Sequence, residues 1–243
     1  MVEMTEKPSL VLVPGLLCTA DLWRDQIAAF ESEYDIMVAD HTQDDRMPAI
    51  AERLLAAAPP KFALAGLSMG GYIALEVMRQ APERVTHLAI MDSRPIADTP
   101  EENKSRQDFI KLAERGTTFK GVTENLLPIL IHPSRMQDDE LKNRIYKMAD
   151  DIGKEAFIRQ ELALLNREPL VDSLQNITCP TLVLCGAEDK LIPAFIQQEM
   201  AIEISTATFE EISLCGHLPT MEAPEKVIEH MRAWLNRSET LVT

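Results

Sequence analysis

Three side chains of this sequence have the types and the order needed for nucleophilic catalysis. Ser68 lies in Gly66-Leu67-Ser68-Met69-Gly70, between the apolar run Lys61–Leu67 and the helix-like run Gly71–Arg79. A serine on a sharp strand-to-helix turn stands clear of the backbone, and flanking glycines let the turn close against its neighbours. A hydroxyl is a weak nucleophile at neutral pH, so a base must take its proton as the bond forms. His217, in Cys215-Gly216-His217-Leu218-Pro219, is of the right type, because imidazole changes charge near neutrality. Asp189, in Gly186-Ala187-Glu188-Asp189, follows the apolar run Thr181–Cys185 and would orient the ring and stabilise the imidazolium. Glu188 and Asp92 compete for that role. His41, just past a strand end, could reach a cleft rim, but is expected to be a solvated turn residue. His132, His87 and His230 are expected to be structural.

The elements that must position these residues alternate. Ser9–Val13, Asp35–Ala39, Phe62–Leu67, His87–Met91, Thr181–Cys185 and Ala207–Ile212 read as short strands, mostly continuous in apolar residues, as when both sheet faces are covered. Ala20–Phe30, Met47–Ala57, Met69–Gln80, Ala194–Ile202 and Ala223–Leu235 read as helices. This alternation implies a parallel sheet with right-handed crossovers. The expected order places Asp35–Ala39 at an edge, Ser9–Val13 beside it, and the other four following in chain order. A switch point then falls beside Gly15 and Ser68, where open α/β sheets bind ligands.

With these motifs the chain resembles the α/β-hydrolase superfamily over nearly its whole length. Leu12-Val13-Pro14-Gly15-Leu16-Leu17 is similar to the family's oxyanion loop, Pro193 lies four residues after Asp189 as in the family's G-x-x-D-x-x-x-P segment, and Ala81–Val85 is similar to its link from nucleophile helix to next strand. The resemblance implies an α/β-hydrolase fold: a six-stranded, mainly parallel sheet with helices on both faces and a helical cap. The core is expected in residues 1–93 and 177–243, and the cap in the insertion 94–176. The resemblance also implies a triad of Ser68, His217 and Asp189, with backbone N–H groups of Leu16 and Met69 as the oxyanion hole. Many members begin with an antiparallel hairpin, for which too few residues precede Ser9 here, and two further departures bear on the site. Pro14 occupies the place where most members have a histidine, so the hydrogen-bonding support of the loop must differ; Pro14-Gly15 suits the central pair of a type II turn. Asp40-His41-Thr42-Gln43-Asp44-Asp45 replaces the usual glycine-rich turn after the second parallel strand.

The insertion is charged, helix-rich and punctuated by prolines. Phe109, Leu112, Leu126, Leu127, Ile129, Leu130, Ile131, Met148, Phe157 and Leu164 give it apolar surface to bury. It is expected to set substrate choice while supplying no essential catalytic group.

Composition narrows the classes. The chain has 243 residues, 46% hydrophobic and 26% charged, within reach of one α/β domain. A net charge of −15 argues against nucleic acid or anionic membrane as partners. No apolar run approaches the ~18 residues of a membrane span. The N-terminus has no basic segment followed by an apolar core, so a cytoplasmic location is expected. Cys179 and Cys185 read as reduced core thiols, while Cys18 and Cys215, close to the site motifs, are candidates for pocket lining. With no cluster of ligands at metal spacing, neither metal nor cofactor is expected. The implied activity is serine hydrolysis of small carboxylic esters through an acyl-enzyme. Lactone hydrolysis, cofactor-free perhydrolysis or haloperoxidation, C–C bond hydrolysis, acyl transfer and non-turnover ligand capture would use the same residues. The partner is a small-molecule ester or lactone; oligomeric state is left open.

Overall fold

The computed structural model describes residues 7–116 and 119–238. Residues Met1–Glu6, within the segment read for a secretory signal, lie outside the described residues. Six strands form one parallel sheet in the order β2-β1-β3-β4-β5-β6: β1 (Ser9–Val13), β2 (Asp35–Val38), β3 (Phe62–Leu67), β4 (Val85–Met91), β5 (Thr181–Gly186) and β6 (Ala207–Ile212). This is the expected order, with β1 between β2 and β3. Every residue of β3 and β5 is buried, whereas β2 and β6 are largely half-exposed, as suits the two edges.

Alternation along the strands divides the core into two layers. Val11, Leu64, Leu88, Ile90 and Val183 face α2 (Met47–Ala57), α3 (Met69–Gln80) and α7 (Ala194–Ile202). Leu10, Leu12, Ala65, Ala89, Leu182 and Leu184 face α1 (Arg24–Phe30) and α9 (Pro224–Leu235), where Trp23, Phe30 and Trp234 are fully buried. One expected helix, Ala20–Phe30, is divided, and one short helix is added before the expected last one. Ala20–Trp23 is a 3₁₀ turn capped by Thr19 ahead of α1. At the other end α8 (Pro219–Glu222) precedes α9, each with a proline in its first turn, where the missing N–H costs nothing.

Residues 94–176 separate β4 from β5 and contain no strand among the described residues. They fold into α4 (Pro100–Arg115), α5 (Leu127–Leu130) and α6 (Asp139–Leu165), with short 3₁₀ turns between. A capping box on Thr99 and Glu102 starts α4. Gly153 (φ 72°) kinks α6. No described helix is long and apolar enough to cross a membrane. No disulfide joins the four cysteines, all of which are buried.

Candidate active site

Ser68 sits between β3 and α3 with φ 55° and ψ −115°, a conformation that costs of order 1–3 kcal/mol and lifts the side chain from the sheet. The glycines around it permit the turn. A Cβ on Gly66 would lie 2.1 Å from the Gly70 carbonyl oxygen, and one on Gly70 would lie 2.1 Å from that of Val13. Neither backbone could yield, so only glycine lets α3 begin this close to β1 and β3.

His217 Nε2 lies 2.9 Å from Ser68 Oγ, and its Nδ1 lies 2.8 Å from Asp189 Oδ2. Asp189 is held from its other side, where Oδ1 accepts from the N–H groups of Leu191 (2.8 Å) and Ile192 (3.1 Å). Burial alone raises the Asp189 carboxyl, but the adjacent His217 ring and those N–H donors outweigh it and leave it below the usual carboxylate range. The structure thus brings the three sequence candidates into one hydrogen-bonded chain. The competing acids stand elsewhere. Glu188 accepts from Cys215 N–H at 3.0 Å. Asp92, fully buried at the end of β4 with φ 44°, accepts from Gly186 N–H at 3.0 Å through Oδ1, while Oδ2 meets no donor. Burial and then the charge of Asp189 push its carboxyl well above the ordinary range, the opposite direction from Asp189.

Ligand atoms of Asp92, Asp189 and His217 lie within 4.8 Å of one another, the one such convergence of three metal-ligating side chains among the described residues. Both His217 nitrogens and Asp189 Oδ2 are already engaged in the chain to Ser68. A cation there would have to break it.

Two expectations are corrected, one about the loop after β1 and one about the loop after β2. The turn does not centre on Pro14-Gly15. It spans Gly15–Cys18, closed by Cys18 N–H to the Gly15 carbonyl (3.1 Å), and Leu17 carries the positive φ (60°). Gly15 keeps an ordinary φ. Its lack of a side chain matters because a Cβ would lie 3.3 Å from the Leu67 carbonyl oxygen and 3.4 Å from Ser68 Cβ. His41 is not solvated. It is 2% exposed, with Nε2 2.9 Å from the Gly15 carbonyl oxygen. No backbone acceptor or side chain meets the N–H of Leu16 or Met69 among the described residues; Met69 opens α3, whose first N–H groups have no partner within the helix.

A cavity of about 420 Å³ opens over Ser68 and His217. Phe109, Leu126, Ile129, Leu130, Met148, Phe157 and Leu164 from residues 94–176 line it. Three other apolar residues named from the sequence do not: Leu127 and Ile131 are buried in the core, and Leu112 faces outward. Cys18 lines the cavity, but burial pushes its thiol up to about 12, which makes it a poor nucleophile. Cys215 is fully buried and is not among the lining residues. His132 is outside the lining too; its Nδ1 bonds the Ser134 hydroxyl at 2.7 Å. His87 and His230 lie away from the cavity, against the Arg237 carbonyl and Glu210.

Several residues of the site carry no local sequence signal. The Glu222 carboxylate receives N–H groups of Gly216 (3.0 Å), Leu218 (3.3 Å) and His132 (2.6 Å), fastening the His217 loop to the insertion. The Leu130 carbonyl accepts His217 N–H at 2.9 Å, and Gln160 Oε1 accepts Leu17 N–H at 3.2 Å. Arg94, Arg106, Glu102 and Glu161 form a charged wall of the cavity, tied together through Asp98. Glu222 to His132, Leu130 to His217, Gln160 to Leu17 and Glu161 to Arg106 are pairs distant in sequence, so only the fold reveals them. Glu222 lies only five residues after His217.

Residues 10–230 match the model of the alpha/beta hydrolase family. The chain belongs to the alpha/beta hydrolase family. It is 25% identical to "Putative carbamate hydrolase RutD" of Serratia proteamaculans, over 97% of this chain and 94% of that protein. It is 22% identical to a pimeloyl-[acyl-carrier protein] methyl ester esterase of Nitrosomonas europaea, over 91% and 93%. Among solved structures it is similar to a thermophilic esterase from Thermogutta terrifontis, with malate bound, at TM-score 0.86 and 28% identity, covering 97% of this chain and 92% of that one. An enol-lactonase from Burkholderia xenovorans shares the fold at TM-score 0.86 and 18% identity, over 97% and 94%.

Proposed function

We propose that the protein is a serine hydrolase of small carboxylic esters, working through an acyl-enzyme on Ser68. The observation that carries this reading is the continuous chain from Ser68 Oγ through His217 to Asp189, opening into a largely apolar cavity. His217 Nε2 takes the Ser68 proton as Oγ attacks the ester carbonyl. The tetrahedral oxyanion receives the N–H groups of Leu16 and Met69. His217 returns the proton to the leaving alkoxide, and the acyl group remains on Ser68. Water, losing a proton to His217, then attacks the acyl carbonyl, and the acid leaves as Ser68 regains its hydrogen. Asp189 holds the imidazole tautomer and stabilises the imidazolium. The similarity to an esterase at 28% identity, and the ester and carbamate named for curated relatives, support an acyl substrate. We assign residues 94–176 as a cap over a core of 1–93 and 177–243, since nine apolar residues of that segment, Val122 and Ile145 among them, wall the cavity.

A panel of p-nitrophenyl esters of graded acyl length, with lactone, aryl carbamate and peroxide arms, tests this. Multiple turnover of esters, lost in Ser68→Ala, is expected. A single stoichiometric release of nitrophenol per chain would instead mark a ligand-capturing protein. Peroxide-dependent acid consumption exceeding ester hydrolysis would mark a perhydrolase.

A further inference from the structure

The two places where the sequence departs from its family touch each other. Pro14 stands where most members have a histidine, and Asp40–Asp45 replaces the glycine-rich turn. In space, His41 of the second segment reaches the residue after Pro14, with Nε2 2.9 Å from the Gly15 carbonyl oxygen. We propose that His41 is a positioning residue of the oxyanion hole, acting through the Gly15–Leu16 peptide. The inference rests on the hydrolase reading above.

The argument is one of peptide geometry. The Gly15 carbonyl and the Leu16 N–H belong to one planar trans unit, so they point in opposite directions. Fixing the carbonyl fixes the N–H. Two donors, His41 Nε2 and Cys18 N–H (3.1 Å), hold that carbonyl. The next N–H along, that of Leu17, is taken by Gln160 Oε1 at 3.2 Å, which leaves Leu16 N–H as the unengaged donor of the turn. Without these anchors nothing compels the orientation, because Leu17 sits at φ 60°, a backbone state that leucine disfavours. A flipped Gly15–Leu16 peptide would aim a carbonyl at the developing negative charge. His41 suits the task chemically. The Gly15 oxygen can only accept, so Nε2 carries the hydrogen. Burial pulls the ring below its usual pKa, keeping it neutral and its tautomer fixed. The helix behind the loops completes the brace. Arg159, adjacent to Gln160 on α6, donates through Nε to the Thr42 carbonyl at 2.7 Å, so the His41 loop and the Leu17 turn hang from consecutive residues.

The test pairs His41→Met, which lacks a donor, with His41→Gln, which keeps one. Each is measured for ester kcat and KM, for melting temperature, and for affinity toward a boronic acid that adds to serine as a tetrahedral mimic. Loss of a whole oxyanion donor costs about 10²–10³ in kcat, so loss of its support in His41→Met is expected to cost about 10- to 100-fold. KM should stay near the parent value, boronate affinity should fall by the same factor as kcat, and His41→Gln should recover most of both. A boronate affinity that holds while kcat falls, an effect confined to KM, or a glutamine variant no better than methionine would overturn the proposal. Should His41→Met not fold, a crystal structure of the parent boronate adduct decides. Leu16 N–H must bond the boronate oxygen with the His41–Gly15 bond intact, and a Gly15 carbonyl turned toward the adduct refutes it. Failure of the parent protein to turn over esters would instead be failure of the functional reading, distinct from an active parent whose His41→Met variant is equally active.

Discussion

The strand ends of the core and the inserted segment between β4 and β5 build the same cavity by different means. At the strand ends, chemistry is placed by the backbone. Ser68, Asp189 and His217 each follow a short run of strand, and each sits in a motif of a few residues whose glycines and prolines dictate the turn. In 94–176 the side chains that matter are placed by tertiary contact. Asp98 binds Arg94, Arg106 and Arg167, and Arg106 also reaches Glu161, 55 residues away. On the proposed function, the difference teaches that reacting groups need positions a local turn can guarantee, whereas a cavity wall can be assembled from distant parts. The separation is incomplete, because the insertion also holds His217 N–H through Leu130 and Leu17 N–H through Gln160.

The largest effects should fall on the strand-end side. His217→Ala is expected to lower kcat by about 10⁶, as removal of a triad base does elsewhere. Asp189→Asn should cost about 10⁴ by leaving the imidazole in the wrong tautomer. Asp92→Asn should cost far less, since Asp92 stands outside the hydrogen-bonded chain to Ser68 and the asparagine oxygen can still accept from Gly186 N–H. Its signature is in stability. The folded pKa of Asp92 is raised above its usual 3.8, so its contribution is complete below that pH and lost as pH rises through the folded value. Asp92→Asn should therefore gain on the parent, by chemical denaturation, as pH rises above about 3.8. A larger loss of kcat in Asp92→Asn than in Asp189→Asn would move the acid role to Asp92.

Within the insertion the first expected casualty is the fold. Asp98→Asn leaves guanidinium groups short of a partner, and breaking such a buried pair costs about 3–5 kcal/mol. The Asp98 carboxyl is held well below its usual range by Arg167 and Arg106 against the opposing effect of burial. That stability is present above pH 3.8 and lost as pH falls through the folded value, so the gap between parent and variant should close in acid. An unchanged gap would show that packing alone had been damaged. Leu126→Ala and Phe109→Ala, on the cavity wall, should shift acyl-length preference by about tenfold without removing turnover. His132→Ala should change kcat within about twofold, as surface substitutions do. Its failure to turn over esters while folded would make the insertion part of the catalytic machinery.

How much of this was legible follows the same division. The sheet order could be read because β1, β3 and β5 are continuous apolar runs separated by helical patterns, and the family rule for the switch point follows from that order. The neighbourhood of Ser68 could be read because glycine at 66 and 70 has a steric reason visible in five residues. The turn after β1 was misplaced by two residues because Pro-Gly is a strong local signal, while the bond from Gln160 that holds Leu17 lies 143 residues away. The local sequence reads His41 as solvated for the same reason. Its loop is polar throughout, and only the fold shows the residue buried, with its ring against the Gly15 carbonyl. The bond from His132 N–H to Glu222 and the pairs Arg106–Glu161 and Asp98–Arg167 left no trace, because contacts between different elements have no fixed sequence spacing.

The central claim is that Ser68 is the nucleophile, and covalent labelling reaches it most directly. The protein is treated with a fluorophosphonate, digested, and mapped by mass spectrometry beside Ser68→Ala and His217→Ala. The account predicts one adduct per chain, on Ser68, with none in Ser68→Ala and severely slowed labelling in His217→Ala. An adduct on another serine, or ester turnover undiminished in Ser68→Ala, would contradict it.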